Sequence, residues 1–365
     1  MIDCKQCMGC KACVYICPKQ CIKIGINERG FEELQINSSE CIECGLCEKI
    51  CQIENPIILK KIKNLYIINQ KNWRNSIKST SAGIANSIAE KFVTGGGVVA
   101  GVKWNNKNAV YELAETIKEV NEFRGSKYVY PDINDVYKKV KKLSKNRKVL
   151  FIGLPCHVAA LYKYIDKNSE NIFTIDLICH GAPQSNFLTD HLTAVGLTNN
   201  IQYLSFRDKE KYRIFAKTEK KEYTAKHYED YYLYGFLNGL IQKEYCYNCM
   251  YAYNKRVGDI TLGDSWNQSI VKTDKVNLVA INSDKGAMLL NCIEKDICIH
   301  NYDLEKFEKY DSQLKYPTKK HRNRKIFESN LSKVGFERAS RRALCNEMTV
   351  LKIKKLGSKI KKLYK

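Results

Sequence analysis

The amino-acid sequence predicts two fold classes in one chain, a small α+β unit at the N-terminus and a mixed α/β domain after it. Three observations carry this. Ten of the 17 cysteines fall within the first 51 of 365 residues. From about residue 64 onward strand and helix signals alternate, the pattern of an α/β sheet. Isolated cysteines then stand where two of those strands end. The length suits two or three domains with enough apolar residues for a buried core. We divide the chain into residues 1–56, residues 57–330 and a basic helical tail, 331–365.

In the first unit, "CMGCKACVYICP" places Cys7, Cys10, Cys13 and Cys17 in the spacing C-x2-C-x2-C-x3-C, with Pro18 next. "CIECGLCEKIC" repeats it at Cys41, Cys44, Cys47 and Cys51, each 34 residues after its counterpart, so the unit is an internal duplication. Three thiolates on one tight loop reach three corners of a cubane, and the fourth leaves on a short helical turn that points it at the other cluster. The spacing therefore predicts one 4Fe-4S cluster on Cys7, Cys10, Cys13 and Cys51, and a second on Cys41, Cys44, Cys47 and Cys17. Gly9, Ala12 and Gly45 leave room for inorganic sulfide. Structural zinc is the alternative, and the doubled spacing argues against it. Cys4 and Cys21 stand outside the pattern and read as packing or bystander thiols. "CQIENP" lacks a proline directly after Cys51, which affects the turn more than the ligation.

In the second domain, "LYIINQ" reads as a strand, "SAGIANSIAEKFV" as a helix with Ile84, Ile88 and Phe92 on one face, and "GVVAGVKW" as a buried strand. The amphipathic stretch "NDVYKKVKKLSKN" follows, then the strand "KVLFIG", the helix "HVAALYKYI" and the strand "IFTIDLIC". "TGGGVVAG" holds Gly95, Gly97 and Ala100 in the G-x-G-x-x-A spacing of a dinucleotide fingerprint. A helix precedes it and a strand follows, the reverse of what that loop requires. Its glycines read as a helix stop and turn. The sequence has no G-x-x-x-x-G-K-[ST] loop, so nucleotide-triphosphate chemistry is unsupported.

The remaining cysteines carry the functional question. Cys156 opens a helix just after the strand ending at Gly153, and Cys179 ends the next strand. If those strands are parallel in one sheet, both thiols lie at its carboxyl edge, where open α/β sheets bind ligands. Helix N–H groups would favour thiolate at Cys156. Cys246 and Cys249, in "YCYNCMYA", add two thiols from a loop after the helix "YEDYYLYGFLNGLI". On spacing alone the four fit a third 4Fe-4S cluster, a zinc site or separate thiols. A redox dithiol at Cys246 and Cys249 would lack the strand-to-helix setting of thioredoxin. Cys292, Cys298 and Cys345 read as core residues.

Seven stretches, "SAGIANSIAE", "GGGVVAGV", "FRGSKYVYPD", "GLPCHVAAL", "DLICHGAP", "SFRDK" and "CYNCMYAYNKRVGDITLGDSW", add a resemblance to these readings. With them the chain resembles the beta subunits of coenzyme F-420 hydrogenase and dehydrogenase and their bacterial relatives, and its first unit resembles the bacterial two-cluster ferredoxin domain. The resemblance covers the chain to about residue 280. It implies an iron-sulfur flavoprotein oxidoreductase that binds FAD and passes electrons between clusters and a two-electron carrier; the alternative is a non-catalytic electron-relay subunit of a larger redox complex. It implies cluster ligation by Cys156, Cys179, Cys246 and Cys249. Flavin contacts are implied near Ser81, Gly83, Gly97, Ser126, Lys127, Tyr128, Gly153, His180 and Gly181. Lys127 is expected to pair with a pyrophosphate or the flavin's electron-rich edge, Ser126 to bind phosphate oxygens, His157 and His180 to donate to sulfur or flavin, and Asp264 either to hold Lys127 or Arg207 or to serve as an N-cap or turn residue. The chain departs from the family pattern at Ala82–Gly83, where paired glycines are usual, and at Leu154 and His157, where threonine and glutamine are usual. Neither departure removes a cluster ligand. The implied partners are ferredoxin or another redox subunit and a small-molecule electron acceptor. Bacterial relatives often occur without F-420, so the acceptor is not taken from the family name.

The formal charge of +22 raises nucleic acid as a partner. Three clusters and a flavin dinucleotide would remove roughly eight units of that charge. Much of the excess sits in "RRALCNEMTVLKIKKLGSKIKKLYK", and nucleic-acid binding is not expected. "MIDCKQCMGC" has no signal-peptide pattern, and thiols used for metal suit a reducing cytoplasm. No run approaches the roughly eighteen apolar residues of a membrane span. Val350, Ile353, Leu356, Ile360 and Leu363 share an approximate helical face among lysines. That face suits a solvated or partner-packed helix, or a peripheral contact with an anionic membrane.

Overall fold

The computed structural model describes residues 7–76, 79–165, 170–198, 200–208, 211–265, 275–305, 307 and 314–363; Cys4 lies outside them. The N-terminal unit comprises α1 (Ala12–Ile16), β1 (Ile22–Ile26), β2 (Glu32–Ile36) and α2 (Leu46–Ile50), with β1 and β2 paired antiparallel. The duplication persists in the backbone. Gly9 and Lys11 take φ of 74° and 57°, and their counterparts Glu43 and Gly45 take 51° and 69°. Turns of this kind direct N–H groups towards an anionic centre.

The second part begins with β3 (Asn64–Gln70), α3 (Ile84–Thr94), β4 (Val98–Trp104), β5 (Ala109–Ala114), α4 (Ile117–Asn121), α5 (Val136–Leu143), β6 (Val149–Gly153), α6 (Pro155–Tyr164) and β7 (Ile172–Leu177). It continues with α7 (Ser185–Ala194), β8 (Tyr203–Asp208), β9 (Lys211–Lys217), β10 (Glu222–Lys226), α8 (Tyr231–Leu237), β11 (Ile260–Asp264), β12 (Asn277–Ile281), α9 (Asp284–Asn291), β13 (Ile297–Asn301) and α10 (Arg324–Leu363). Eight strands form one mixed sheet in the order β13-β3-β12-β11-β7-β6-β4-β5. Four neighbouring strands within it, β11, β7, β6 and β4, run parallel. Val149, Leu150 and Phe151 are all buried, as in a strand covered on both faces. Ile84, Ile88 and Val93 of α3 cover one face, and Val136, Val140, Val158 and Leu161 of α5 and α6 cover the other.

A smaller antiparallel sheet, β10-β9-β8, shares a second core with α7, α8 and α10, built on Phe187, Ile214, Tyr232, Phe327 and Phe336. These three strands are not among the predicted elements. α10 turns at Gly335, whose φ is 77°. Phe327, Leu331, Phe336, Leu344 and Met348 along it are buried, so the boundary placed at residue 330 falls inside a helix that packs on the core as far as Met348. Cys292, read as a core residue, is instead exposed at the end of α9, its thiol donating to the Met288 carbonyl at 3.2 Å. Among the described residues no helix is long and apolar enough to cross a membrane.

The N-terminal unit docks on α5 and α6 through side chains that reach its backbone. Tyr137 donates to the Cys10 carbonyl at 3.1 Å and Tyr164 to the Tyr15 carbonyl at 2.9 Å.

Candidate functional site

Cys7, Cys10, Cys13 and Cys51 lie together at this junction, close enough for each charge to act on the others. Burial first, then Cys7 and Cys51, push the Cys10 thiol up to about 11. The second loop's last cysteine thus sits with the first loop's three. On the other side, Cys17 Sγ is 3.4 Å from Cys21 Sγ. Cys21 also faces Cys41, and Cys41 faces Cys47. Cys21, read as a bystander, is a buried neighbour of two predicted ligands, and Cys44 is exposed. Among the described residues no three His, Cys, Asp or Glu side chains are placed to hold a single metal ion. A cubane asks for less convergence, because each thiolate ligates its own iron.

The third thiol group assembles from three segments. β6 and β7 are parallel neighbours, with Gly153 opposite Asp176, so Cys156 at the start of α6 and Cys179 just past β7 both lie at the carboxyl edge. Cys246 and Cys249 enter on the 3₁₀ turn Glu244–Asn248 and its continuation. Burial, then Cys249, Cys179 and Cys246, push the Cys156 thiol well above its ordinary value. Burial and the Cys246 and Cys249 thiols raise Cys179 in the same way. The thiolate-favouring effect expected of the α6 N-terminus therefore loses to burial and mutual repulsion. Bare thiols packed in this way resist ionising, and a metal that takes them as ligands removes that cost.

One buried ion pair holds these segments in place. Arg256 is 1 % exposed and Asp176 is 0 % exposed. The Arg256 guanidinium donates to Asp176 at 2.9 Å, to the Tyr251 and Tyr253 carbonyls at 2.6 and 3.1 Å, and to the Leu177 carbonyl at 3.3 Å. Asp176 also accepts from the Val257 and Gly258 N–H groups at 3.0 and 2.8 Å. The end of β7, which carries Cys179, is thereby tied to the loop that carries Cys246 and Cys249. The sequence reading missed Arg256. Its signal was an aspartate inside the apolar strand "IFTIDLIC", since a buried carboxylate demands a partner.

The first and third thiol groups share neighbours. Tyr130 donates to the Met8 carbonyl at 3.0 Å and lies 3.8 Å from Cys156 Sγ. Gln52 donates to the Cys156 carbonyl at 2.9 Å and accepts from Tyr251 at 2.6 Å.

A cavity of about 550 Å³ opens at the carboxyl edge of the sheet. Ser81, Gly83, Ser126, Lys127, Tyr128, Gly153, His180 and Gly181 line it, and so does Cys179. Gly97 does not. It precedes β4 at the opposite end of the strand, where an added Cβ would stand 2.4 Å from the Phe92 ring. The flavin contact expected there is corrected to close packing of a turn. Lys127 donates to the Phe123 and Arg124 carbonyls at 2.7 and 3.0 Å. Among the described residues it has no carboxylate partner, and burial lowers its pKa to about 7. Of the two partners proposed for Asp264, the structure selects Arg207, at 2.7 Å. Ser126 donates to Thr80 through both its N–H and its hydroxyl, at 3.0 and 3.1 Å. Gly83, with φ of 79°, leads into α3, so the helix N-terminus faces the cavity. A desolvated ammonium and a helix N-terminus lining one cavity suit an anionic group such as a pyrophosphate. His157 does not line the cavity, although its partner Tyr111 does. It is buried, bonded through Nδ1 to the Tyr111 hydroxyl at 2.9 Å, and burial lowers its pKa to about 3.

A duplicated cysteine unit docked on a mixed α/β domain, with further thiols at the sheet edge, defines an iron-sulfur redox protein. Residues 6–55 match the 4Fe-4S dicluster domain, and residues 146–310 match the C-terminal part of the coenzyme F420 hydrogenase/dehydrogenase beta subunit. The chain thus joins a ferredoxin-type dicluster domain to a region, residues 146–310, that matches that beta-subunit family. It is 33 % identical to a ferredoxin of Rickettsia felis over 85 residues, which are 21 % of this chain and 73 % of the ferredoxin. It is 26 % identical over 200 residues, 46 % of this chain, to an uncharacterized protein of Methanocaldococcus jannaschii, of whose length it spans 55 %. A chain of the F420-reducing [NiFe] hydrogenase complex from Methanosarcina barkeri shares the fold, with a TM-score of 0.50 at 15 % identity over 78 % of this chain and 91 % of that one.

Proposed function

We propose that the protein is a cytoplasmic FAD-dependent iron-sulfur oxidoreductase, moving electrons between a ferredoxin or another redox subunit and a small-molecule two-electron donor or acceptor. The observation that carries this reading is the position of Cys179, which belongs to the third thiol group and also lines the cavity. In this reading the first and second clusters take the ligand sets read from the spacing, and Cys156, Cys179, Cys246 and Cys249 hold a third. FAD, when bound, exchanges single electrons with clusters and electron pairs with a substrate. The chain's part is to hold it: Lys127 and the α3 N-terminus meet its pyrophosphate, and Arg207, fixed by Asp264, closes the polar side of the cavity.

The test is anaerobic purification with iron, zinc and flavin counts and electron paramagnetic resonance. About twelve irons and one FAD per chain are expected; about eight irons would reject the third cluster. Turnover of a substrate by the isolated chain would separate this reading from that of a relay subunit.

Lys127→Met should weaken FAD binding by about ten- to a hundredfold, the worth of one hydrogen bond to a charged group. Unchanged affinity in a fluorescence titration would remove Lys127 from the site. The pH dependence has a definite sign. Lys127 starts near 7 in the free protein, and a bound pyrophosphate would raise it. Binding then takes up a proton, and affinity falls as pH rises above 7, by at most about tenfold per pH unit. The Lys127→Met profile should be flatter.

A further inference from the structure

Among the described side chains Met348 is the last buried one of α10, yet the helix continues to Leu363, roughly fifteen residues or about 22 Å further at 1.5 Å per residue. Val350, Ile353 and Leu356 on this extension are 51 %, 65 % and 61 % exposed. Leu356 turns away from the seam by which the helix packs, while Val350, two turns after the buried Ala343, lies at its edge. At 3.6 residues per turn, positions 350, 353, 356, 360 and 363 fall within an arc of about 140°. Leu344 and Met348 point to the other side, whereas buried Ala343 lies only about 20° from Val350. The sequence after Glu347 contains seven lysines and no acidic residue, and the six positions that lie within the helix, 352, 354, 355, 359, 361 and 362, fall in the complementary arc, which Leu351 shares. An exposed apolar stripe set against a lysine-rich face is the pattern of a helix lying in a membrane interface.

We infer that residues 349–363 dock the protein on an anionic lipid surface, with Val350, Ile353 and Leu356 entering the acyl boundary and the lysines meeting the headgroups. Charge selects this occupant. A second copy would bring two lysine-rich helices together with no acidic residue on either to offset them, whereas anionic headgroups neutralise the lysines.

The experiment uses the full chain in co-sedimentation with vesicles of phosphatidylserine and phosphatidylcholine at about 3:7, against vesicles of phosphatidylcholine alone, near physiological salt. Binding to the mixed vesicles should be at least about tenfold tighter. It should fall by at least about tenfold in the Ile353→Asp/Leu356→Asp variant and by about threefold in Lys354→Gln/Lys355→Gln. Because these positions are exposed, iron content and thermal unfolding should match the parent protein. Equal binding to both vesicle types, or a variant that binds like the parent, overturns the inference. So does a dimer in light scattering that Ile353→Asp/Leu356→Asp dissolves in the absence of lipid binding, since the stripe then belongs to a second copy.

Discussion

Arg256→Met is expected to lower stability by about 3–5 kcal/mol, the usual cost of removing one partner of a buried ion pair, and to strip iron from the third thiol group. Asp176 would keep the Val257 and Gly258 N–H groups and lose its cation while buried. The Tyr251, Tyr253 and Leu177 carbonyls would lose their donors at once. These carbonyls belong to the two segments that present Cys249 and Cys179, so the damage reaches the thiols without touching one. Urea unfolding of the anaerobic protein with an iron count measures both effects. Arg256→Lys separates them. An ammonium keeps the charge beside Asp176 but lacks the planar fork that serves five acceptors, so most of the stability should return while iron occupancy at the third group stays low. In Arg256→Met/Asp176→Leu the uncompensated charge is gone, and stability should recover in part relative to Arg256→Met. A loss below about 1 kcal/mol in Arg256→Met would show that the pair is not what ties these segments together.

The legible parts of this chain were those in which local spacing states the chemistry. The two cysteine loops could be paired across the duplication from sequence, because a cubane admits few ligand spacings. The strand ends at Gly153 and Cys179 were legible because glycine and proline punctuate apolar runs. The sheet order was not. β3, at residues 64–70, pairs with strands at 277–281 and 297–301, and no local pattern encodes a partner two hundred residues away. β8 to β10 are short strands in which lysines and tyrosines blur the alternation. Gly97 misled for a related reason. The resemblance attached a glycine-rich stretch to the cofactor, while the backbone uses Gly97 to pass the Phe92 ring before β4 begins. Asp264 was placed near two cations, and only the fold could choose between Lys127 and Arg207, since the choice depends on how β8 lies against β11.

Replacing Cys246 and Cys249 together by serine is expected to remove about four irons and to cut electron transfer from the N-terminal clusters to the cavity by at least about a hundredfold. The N-terminal unit should survive, because its ligand loops and hairpin are its own and its dock on α5 and α6 runs through Tyr137 and Tyr164. Two measurements locate the break. Paramagnetic signals from the N-terminal clusters should persist after reduction by a low-potential donor, whereas flavin bleaching in rapid-mixing absorbance should slow sharply. Direct photoreduction of bound FAD should be unaffected, since Lys127, Ser126 and Gly83 line the cavity and the altered loop contributes no lining residue to it. A variant that keeps full iron content and parental transfer rates would place the electron path elsewhere and leave Cys156 and Cys179 as ordinary thiols at a sheet edge. Serine is the stringent choice here: it preserves volume and hydrogen bonding but is a poor ligand to iron, so the loss reports the metal rather than the packing of the loop.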